Sequence, residues 1–528
     1  MEICRIISRL RYNLGLTQEE FAERINVSEK TVQRWEANVT VPNAENLVNI
    51  SREFNISIDT LLNHCMTRDI DEHYKSIFPE RNVHIWESYE KNLMTEFEQS
   101  IDEGLDIGRY KNLFLEIEKM PDGIFKKRMG DVVFDMVLNA EKKAGYIYDE
   151  PSDLNGIKGL RKVYNFIAKP VTNEVLKKRV RGAWYGRICG CLLGKPIEGI
   201  RTKELVALLK ETNNFPMKRY IRSTDITSEL CEKITFNLKG KCWADTILCA
   251  PQDDDTNYTV LASILIDKYG KDFTASDVLD LWVESQSKNS YCTAERVAWK
   301  NYVNGYCPPD TAAYKNPYRE WIGAQIRGDY FGYINPGNAE YAAEMAWRDA
   351  SASHIKNGIY GEMFVAAAIA CAAVSDNILD VIMGGLAQIP SSSRLYENII
   401  NVVNWYNDGI CEKECRERIQ AEFDENTGYG WCHTIPNAMI VVMALLYNNN
   451  SYGGAICSAV QSGFDTDCNG ATVGSIFGML HGIESVGKEW TDCINGKLQT
   501  GIITTAVFEI EELIQTTMKH IRIINKDS

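Results

Sequence analysis

Apolar residues recur along most of this chain at intervals of three and four, and the alternating pattern of strands is scarce. This spacing predicts an almost all-α protein. Short helical patterns alternate with turn signals in residues 1–64, and a polar stretch with helical spacing follows in residues 65–144. Helices rich in glycine and alanine occupy residues 145–523. We therefore expect a small helical domain, a helical connector and a large all-helical domain.

The connector is predicted from one long apolar stripe and carries no recognisable chemical motif. Its stripe consists of residues that recur every four positions, as on one face of a helix. These residues are Ile85, Tyr89, Leu93, Phe97 and Ile101. The spacing indicates a small folded helical segment and not a loose linker.

The first 64 residues contain the start signals of two helices joined by a tight turn. Thr17 and Glu20 have the spacing of a capping box, in which each side chain bonds the backbone of the other residue. Asn26 tolerates the left-handed conformation that a three-residue turn needs. Ser28 then caps a second helix that runs through Glu36.

The core of this small domain is predicted from the apolar positions of the same helices. We expect it to contain Ala22, Ile25, Val27, Val32, Trp35, Leu47, Ile50 and Phe54. Ser57 is expected to cap a last short helix that carries Leu61 and Leu62.

The segments LTQEEFAERINVSEKTVQRWE and VPNAENLVNISREFNISIDTLL resemble the helix-turn-helix domains of the Cro-like phage-repressor family. The resemblance implies that the helix Ser28–Glu36 enters the major groove of double-stranded DNA. It places base or phosphate contacts on this helix and a backbone contact at the start of the preceding one. The implied DNA-binding residues are Gln18, Ser28, Lys30, Thr31, Gln33 and Arg34.

A protein-interaction or dimerisation module is the alternative interpretation of residues 1–64. This segment has seven Lys and Arg residues against nine Asp and Glu residues, a weak footprint for a partner that is bound through its phosphates. Domains of this type often act as dimers, so we expect a homodimer.

The composition narrows the class of protein further. A net charge of -15 excludes a uniformly basic nucleic-acid binder, although a local DNA-reading face remains compatible with it. The 16 cysteines include no CxxC pair, which indicates reduced thiols in a cytoplasmic protein. The N-terminus lacks a signal-peptide core. The longest apolar run, Met363 to Val374, is too short to cross a bilayer and is expected to form a buried helix.

Two acidic runs carry the candidate chemistry of the large domain. One is Gln252-Asp-Asp-Asp-Thr256, and the other is Gly463-Phe-Asp-Thr-Asp-Cys-Asn469. Each run directly precedes an apolar helical pattern, and solvated acidic turns are the alternative interpretation. Because hard divalent cations prefer several oxygen ligands, the paired runs favour a metal site.

The two runs and the front of the domain resemble the ADP-ribosylglycohydrolase family over residues 145–520. Asp254-Asp255-Thr256 match the first motif of the family, and Asp465 with Asp467 match the second. The glycine-spaced segment from Gly182 to Glu198 resembles the first helix of the family, and Glu198 falls on the position of its catalytic glutamate.

The resemblance implies a hydrolase with two Mg²⁺ ions and Glu198 as general acid or base. The implied metal residues are Asp253, Asp254, Asp255, Asp465, Asp467 and Cys468. We expect the glycine-rich segments around Gly194 and Gly470 to offer amide donors to a diphosphate. The other residues expected to bind substrate are Asn335, Gly337, His354, Gly358, Tyr360 and Gly463. For His354, a hydrogen-bonded histidine of the core or cleft is the alternative interpretation.

Three positions depart from the family pattern. Cys468 has sulfur where a hydroxyl oxygen is usual, and Asp253 has a charge where the family has a neutral hydroxyl. Cys191 stands where many relatives carry an aspartate. Since thiol sulfur is a poor ligand for magnesium, these departures bear on the identity of the metal.

Three functions fit these patterns. The first is an enzyme that removes ADP-ribose from an ADP-ribosylated protein or a small ADP-ribosyl conjugate, with a DNA-binding arm for targeting or regulation. The second is a transcription regulator that senses an ADP-ribosyl ligand without turnover. The third is a hydrolase whose N-terminal domain mediates assembly alone. The sequence leaves open whether the leaving group is arginine, serine, a nucleobase or a small metabolite.

Overall fold

The computed structural model describes residues 2–58, 61, 83–448 and 450–524. The chain divides into two compact units, which are described separately. The first consists of Met1–Tyr146 with Lys315–Tyr318, and the second of Ile147–Tyr314 with Arg319–Ser528. The expected boundary between residues 64 and 65 falls outside the described residues.

The expectation of an almost all-α protein is confirmed. The helices of the first unit are α1 Glu2–Asn13, α2 Gln18–Arg24, α3 Glu29–Glu36, α4 Ala44–Glu53, α5 Leu93–Asp102, α6 Lys111–Lys119 and α7 Ile124–Leu138. Its 3₁₀ turns are Ile85–Glu87, Tyr89–Lys91 and Gly108–Tyr110.

Helices also build the second unit. They are α8 Leu154–Gly159, α9 Asn173–Gly194, α10 Thr202–Glu211, α11 Ser228–Lys233, α12 Asp254–Tyr269, α13 Ala275–Ser285, α14 Thr293–Val303, α15 Asp310–Ala313, α16 Asp329–Tyr333, α17 Ala339–Ala350, α18 Lys356–Ala372, α19 Ile378–Leu386, α20 Arg394–Asn407, α21 Glu412–Glu422, α22 Gly428–Cys432, α23 Thr434–Leu446, α24 Tyr452–Gln461, α25 Thr466–His481, α26 Lys488–Thr491 and α27 Ile510–Ile524.

Short turns and one hairpin complete the second unit. The 3₁₀ turns are Lys195–Ile197, Ser223–Asp225, Lys288–Ser290, Gln325–Arg327, Ile483–Ser485 and Asp492–Ile494. Strand β1 Lys497–Gln499 pairs antiparallel with β2 Val507–Glu509, with Leu498 opposite Phe508.

The capping signals of the small domain act as the sequence predicts. The Thr17 hydroxyl accepts a hydrogen bond from the Glu20 amide at 3.1 Å, and the Glu20 carboxylate accepts one from the Thr17 amide at 2.6 Å. Asn26 has a φ of 57°, the left-handed value that the turn needs. The Ser28 hydroxyl accepts from the Thr31 amide at 3.2 Å, so that α3 begins at Glu29.

The predicted core of this domain forms around α2 and α3. Ile25, Val32 and Trp35 are buried, while Val27 is half-buried. The Phe54 ring is also half-buried and stacks on Phe21 at 4.9 Å between ring centroids. The predicted last helix, with its cap at Ser57, lies largely outside the described residues, and so does Leu62.

The connector is helical, but its stripe does not form one continuous helix. Two 3₁₀ turns hold Ile85 and Tyr89, and α5 begins at Leu93. The Asn92 side-chain amide donates to the carbonyls of Ile85 and Ser88 at 2.7 and 2.9 Å. These carbonyls are the acceptors that a continuous helix would use, so the local bond breaks it. Residues 65–82 lie outside the described part of the connector.

Two antiparallel helices, α9 and α25, pack backbone against backbone in the second unit. A Cβ atom built on Gly182, Gly186 or Gly190 would lie 2.3, 2.1 or 2.0 Å from the carbonyl oxygen of a glycine in α25. The facing glycines, in the same order, are Gly478, Gly474 and Gly470. Only glycine allows this approach. We call this contact the glycine seam.

The apolar run from Met363 to Val374 is buried, as predicted, in α18 and the turn after it. Neighbouring helices surround this run, since every side chain from Met363 to Ala373 is shielded from solvent. Across the described ranges, we find no helix with the combined length and apolarity that a membrane crossing requires.

Candidate metal centre

Both acidic runs lie at the N-termini of helices in the second unit. Asp253 caps α12, and its Oδ1 accepts a hydrogen bond from the Asp255 amide at 2.9 Å. Asp465 occupies the cap position of α25, and Asp467 lies in its first turn. The positive end of a helix dipole favours carboxylates at such positions.

The glycine seam brings the C-terminal end of α9 to the second acidic run. At its end, a Cβ atom on Gly194 would lie 2.3 Å from the backbone of Thr466 and 2.4 Å from the Asp467 amide nitrogen. The Thr466 hydroxyl also donates to the Gly194 carbonyl at 3.1 Å. Glu198 follows Gly194 after one 3₁₀ turn and therefore emerges beside Asp465 and Asp467.

Three overlapping groups of side chains could each hold a metal ion. Within each group, one ligand atom from every residue lies within 4.8 Å of the others. The groups are Glu198 with Asp465 and Asp467, Asp255 with Asp467 and Cys468, and Cys191 with Asp253 and Asp255. Because Asp467 and Asp255 are shared, the groups are continuous, and we call these seven residues the acidic cluster.

Three buried oxygens of the acidic cluster have no hydrogen-bond partner among the described residues. They are Oδ2 of Asp255, Oδ1 of Asp465 and Oδ1 of Asp467, in residues that are at most 5% exposed. A buried carboxylate oxygen without a partner costs several kcal/mol, on the order of an unsatisfied charged group. Their convergence therefore fits a site that a cation completes, although the two thiols do not fit magnesium.

The pKa values of the cluster, and of the adjacent Asp254, show that too little positive charge surrounds these carboxyl groups. Burial, and then the charge of Asp253, raises the pKa of Asp467 to about 6 and that of Asp254 to about 8. Burial and the neighbouring carboxylates hold the pKa of Asp255 and of Asp465 well above the ordinary range. These groups keep protons unless a cation compensates their charge.

Lys195 neutralises one carboxylate from within the chain. Its Nζ lies 2.7 Å from Oδ2 of Asp253, so that both oxygens of Asp253 have partners. Burial alone would raise the pKa of Asp253, but Lys195 holds it below the ordinary value. The charge that Asp253 adds is therefore matched by an internal ammonium. Sequence reasoning missed Lys195, whose one signal is its place three residues before Glu198.

Arg187 positions Asp255 from inside the helix packing. It is fully buried on α9 and donates from Nη2 to the Asp255 carbonyl at 2.7 Å, with Oδ1 of Asp255 at 3.4 Å. Its Nη1 lies 2.9 Å from Asp329, and its Nε donates to Thr259. Sequence reasoning missed it too, although a lone arginine among small residues is a signal of a buried partner.

Glu198 is exposed to solvent, yet it faces the buried carboxylates. The charge of Asp467, followed by burial of the carboxyl group, raises its pKa well above the ordinary value. At the same mouth, the Arg201 guanidinium lies 5.1 Å from the Trp431 ring centroid. The Trp431 Nε1 donates to the Phe464 carbonyl at 2.5 Å, directly before Asp465.

Asp254 is the metal residue of the sequence prediction that belongs to none of the three groups in the described chain. It is half-buried at the first position of α12, and it lies close enough to influence Asp253 and Cys292. The other predicted metal residues fall within the acidic cluster.

The prediction that the segments around Gly194 and Gly470 offer amide donors to a diphosphate stays a prediction. Both lie inside helical turns and in the glycine seam, where backbone atoms of the opposite helix occupy the space beside them. Gly463 is different, because it has a φ of 76° in the turn before Asp465, next to Thr202. Its assignment to substrate likewise stays a prediction.

The assignment of Asn335, Gly337, His354, Gly358 and Tyr360 to substrate also stays a prediction. The structure gives each of them contacts within the helix packing, while Oδ1 of Asn335 and Nε2 of His354 are buried without a hydrogen-bond partner among the described residues. Asn335 donates to the Phe331 carbonyl, the Gly337 amide donates to Ala370, His354 bonds Ser353, Gly358 packs on Arg319, and the Tyr360 hydroxyl donates to Pro151.

In the first unit, α3 presents part of the predicted DNA-binding set to solvent. Lys30, Gln33 and Arg34 are exposed, and Gln33 donates to Glu29 at 3.0 Å. Ser28 and Thr31 share a hydrogen bond at 2.7 Å, which holds the start of α3. The Gln18 amide donates to Glu36 at 2.5 Å, so it fixes α2 to α3.

Comparison with known proteins gives matches for both units. A family model described as ADP-ribosylglycohydrolase matches residues 172–520, and a helix-turn-helix model matches residues 7–61. The chain is 40% identical over 62 residues to the HTH-type transcriptional activator BcrR of Enterococcus faecalis. This match covers 12% of the chain and 30% of that relative. A solved ADP-ribosylglycohydrolase-related protein complex is similar with a TM-score of 0.39 at 14% identity, over 66% of this chain and 99% of that one.

Proposed function

This chain belongs to the ADP-ribosylglycohydrolase family, and on that premise we propose that its larger unit hydrolyses an ADP-ribosyl N- or O-glycosidic bond with the help of divalent metal. The substrate class is an ADP-ribosylated protein or a small ADP-ribosyl conjugate. Two Mg²⁺ ions are the family expectation for the site. The free thiols of the described cysteines support a reducing compartment, for which we propose the cytoplasm.

One observation carries the proposal. Three buried carboxylate oxygens that have no partner among the described residues belong to one continuous cluster, and the exposed Glu198 is a member of the same cluster. A purely structural acidic cluster would be expected to pair these oxygens with cations or amides of the chain, as Asp253 is paired with Lys195. The arrangement supports a site for cations with a proton-transfer group at its entrance.

The chemistry of the chain's own residues follows from this geometry. Breaking a ribosyl bond builds positive charge at the anomeric carbon. Asp465 and Asp467 would supply negative charge to the site once a bound cation allows them to ionise. Glu198, whose pKa is raised by the charge of Asp467 and then by burial of the carboxyl group, donates a proton from a carboxyl oxygen to the leaving atom. The resulting carboxylate accepts a proton from the attacking water. A divalent cation, when bound, adds Lewis-acid stabilisation of oxygen.

Glu198→Gln should reduce the rate of hydrolysis by at least about 100-fold, because the amide cannot donate a proton as an acid. Release of ADP-ribose from ADP-ribosyl-arginine and ADP-ribosyl-serine conjugates, with and without Mg²⁺, measures this. Glu417→Gln is the matched control, since Glu417 is an exposed carboxylate on α21 beside Lys413. An unchanged rate in Glu198→Gln would remove Glu198 from the mechanism.

A regulator that binds an ADP-ribosyl ligand without turnover is the second candidate. The pairing of Asp253 with Lys195 and the sulfur of Cys468 favour it, since both reduce the oxygen ligands available to magnesium. Tight binding of ADP-ribose together with no turnover of any conjugate would support this candidate against the hydrolase.

We propose in addition that residues 1–64 bind double-stranded DNA through α3 and thereby target or regulate the hydrolase. The exposed Lys30, Gln33 and Arg34 support this role. The lack of net positive charge in the segment leaves assembly as the competing role. A homodimer stays a prediction of the same domain type.

Arg34→Ala should weaken binding to DNA upstream of the chain's own coding sequence by about 1–3 kcal/mol, the usual loss for one arginine contact. Fluorescence anisotropy over a series of salt concentrations measures this loss. Arg109→Ala removes the same charge from an exposed site beyond the small domain and should leave binding unchanged. Equal affinities of Arg34→Ala and the parent would favour the assembly module.

A further inference from the structure

Sulfur atoms lie close to the carboxylates of the acidic cluster. Cys468 forms a group with Asp255 and Asp467, and Cys191 forms one with Asp253 and Asp255, with ligand atoms within 4.8 Å in each group. Outside these groups, the Cys432 Sγ lies 4.0 Å from Oδ2 of Asp465. Three thiols therefore lie beside the carboxylates of the acidic cluster.

The donor atoms divide the cluster into two kinds of metal position. The group of Glu198, Asp465 and Asp467 offers oxygen alone, which suits a hard cation such as Mg²⁺. The group of Asp255, Asp467 and Cys468 offers two oxygens and one sulfur. Thiolate sulfur favours borderline-soft cations such as Zn²⁺ over Mg²⁺.

The carboxylate oxygens beside the two thiols differ in their partners, and this difference favours Cys468 over Cys191 as a metal ligand. Beside Cys191, Asp253 already has both oxygens engaged, by the Asp255 amide and by Lys195. Beside Cys468, Oδ2 of Asp255 and Oδ1 of Asp467 are buried and have no partner among the described residues. Among the described residues, the group with Cys468 therefore has a free oxygen on both carboxylates, and Arg187 lies 3.4 Å from the other oxygen of Asp255, Oδ1.

We propose that Asp255, Asp467 and Cys468 form a binding position for a thiophilic divalent cation, with Zn²⁺ as the preferred ion, next to the oxygen-only position of Glu198, Asp465 and Asp467. Asp467 contributes to both positions. When the Sγ–metal bond forms, the Cys468 thiol loses its proton to solvent, and Asp255 and Asp467 bind as carboxylates. This inference specifies which metal the site binds. It rests on the proposed function only for the assumption that the acidic cluster is a metal site.

A cobalt titration of the full chain tests the sulfur ligand directly. Co²⁺ replaces Zn²⁺ in such positions, and its bond to a thiolate gives an intense charge-transfer band in the near ultraviolet. The parent chain should develop this band, and Cys468→Ser should lose it while gaining an oxygen donor. Cys191→Ser and the control Cys371→Ser, a buried cysteine in α18, should both retain it.

Competition with a zinc-binding dye gives the matching affinities. Cys468→Ser should weaken Zn²⁺ binding by at least about 10- to 100-fold, since even the loss of an outer-sphere partner has that effect. Its affinity for Mg²⁺ should not fall. X-ray absorption at the zinc edge of the unmutated chain should show a sulfur neighbour at about 2.3 Å, a result that does not depend on the folding of any variant.

Cobalt that binds without the charge-transfer band, or a band that persists in Cys468→Ser, would overturn the inference. An absorption spectrum with oxygen and nitrogen neighbours alone would do the same. These results are distinct from a failure of the proposed hydrolase, because Mg²⁺-supported release of ADP-ribose would persist in a chain whose Cys468 does not bind metal.

Discussion

Asp467→Asn should abolish stabilisation by divalent cations and reduce hydrolysis by about 100-fold or more. Asp467 is the residue shared by the oxygen-only group and by the group with Cys468, so the substitution removes a charged ligand from both. Loss of an outer-sphere partner alone lowers metal affinity by about 10- to 100-fold, and a shared ligand should exceed that. The change in melting temperature with added Mg²⁺ or Zn²⁺ measures the effect.

The same variant should be no less stable than the parent in the absence of metal. In the parent, burial and then the charge of Asp253 raise the pKa of Asp467 to about 6, which means that its ionisation is unfavourable in the folded chain. A neutral amide avoids this cost. Reduced stability without metal would therefore indicate a structural role for the carboxylate. Asp492→Asn, at an exposed carboxylate of the same unit, is the control and should respond to metal as the parent does.

Gly474→Ala should destabilise the second unit by about 3 kcal/mol or more, at the upper end of overpacking costs. The added Cβ would lie 2.1 Å from the Gly186 carbonyl oxygen and 2.8 Å from its carbonyl carbon, with the Tyr452 hydroxyl at 3.1 Å. A backbone atom cannot turn away as a side chain can, so α9 and α25 must move apart. Denaturant unfolding, followed by the fluorescence of buried tryptophans, measures the loss.

Gly159→Ala is the matched control for this substitution. Gly159 is the last residue of α8, and nothing lies within 4 Å of a Cβ built on it. Alanine at such a position should be neutral or stabilising by about 0.4–1 kcal/mol, because the unfolded chain loses conformational freedom. A Gly474→Ala chain as stable as Gly159→Ala would show that the seam can widen without cost.

The sequence predicted the helix caps and the tight turn of the small domain, because interactions between neighbouring residues determine them. The capping box of Thr17 and Glu20, the left-handed Asn26 and the cap at Ser28 are each satisfied within a few residues, and the structure contains all of them. The meeting of the two acidic runs was predicted from their shared residue types and the family pattern. The glycine-spaced segment from Gly182 to Glu198 matched the first helix of the family, but its spacing did not reveal the helix on which it packs.

What escaped the sequence depends on contacts between distant segments. Lys195 reaches Asp253, and Arg187 reaches Asp329, across intervals that no periodicity reveals. The family resemblance placed Cys468 among the metal residues, but its grouping with Asp255 of another helix is a contact that no local spacing shows. In the connector, the regular apolar stripe is divided at Asn92, whose side-chain amide bonds the carbonyls of Ile85 and Ser88.

Because α9 and α25 are far apart in the sequence, the metal ligands should come together only after these two helices have packed. Glu198 follows the C-terminal end of α9, and Asp467 lies in the first turn of α25. Neither helix alone therefore supplies all the ligands of the metal site. A polypeptide still emerging during synthesis would hold at most the adjacent carboxylates of the first run. Retention of a tightly bound cation should consequently report completed tertiary structure, and it could serve as a quality check on preparations of the protein.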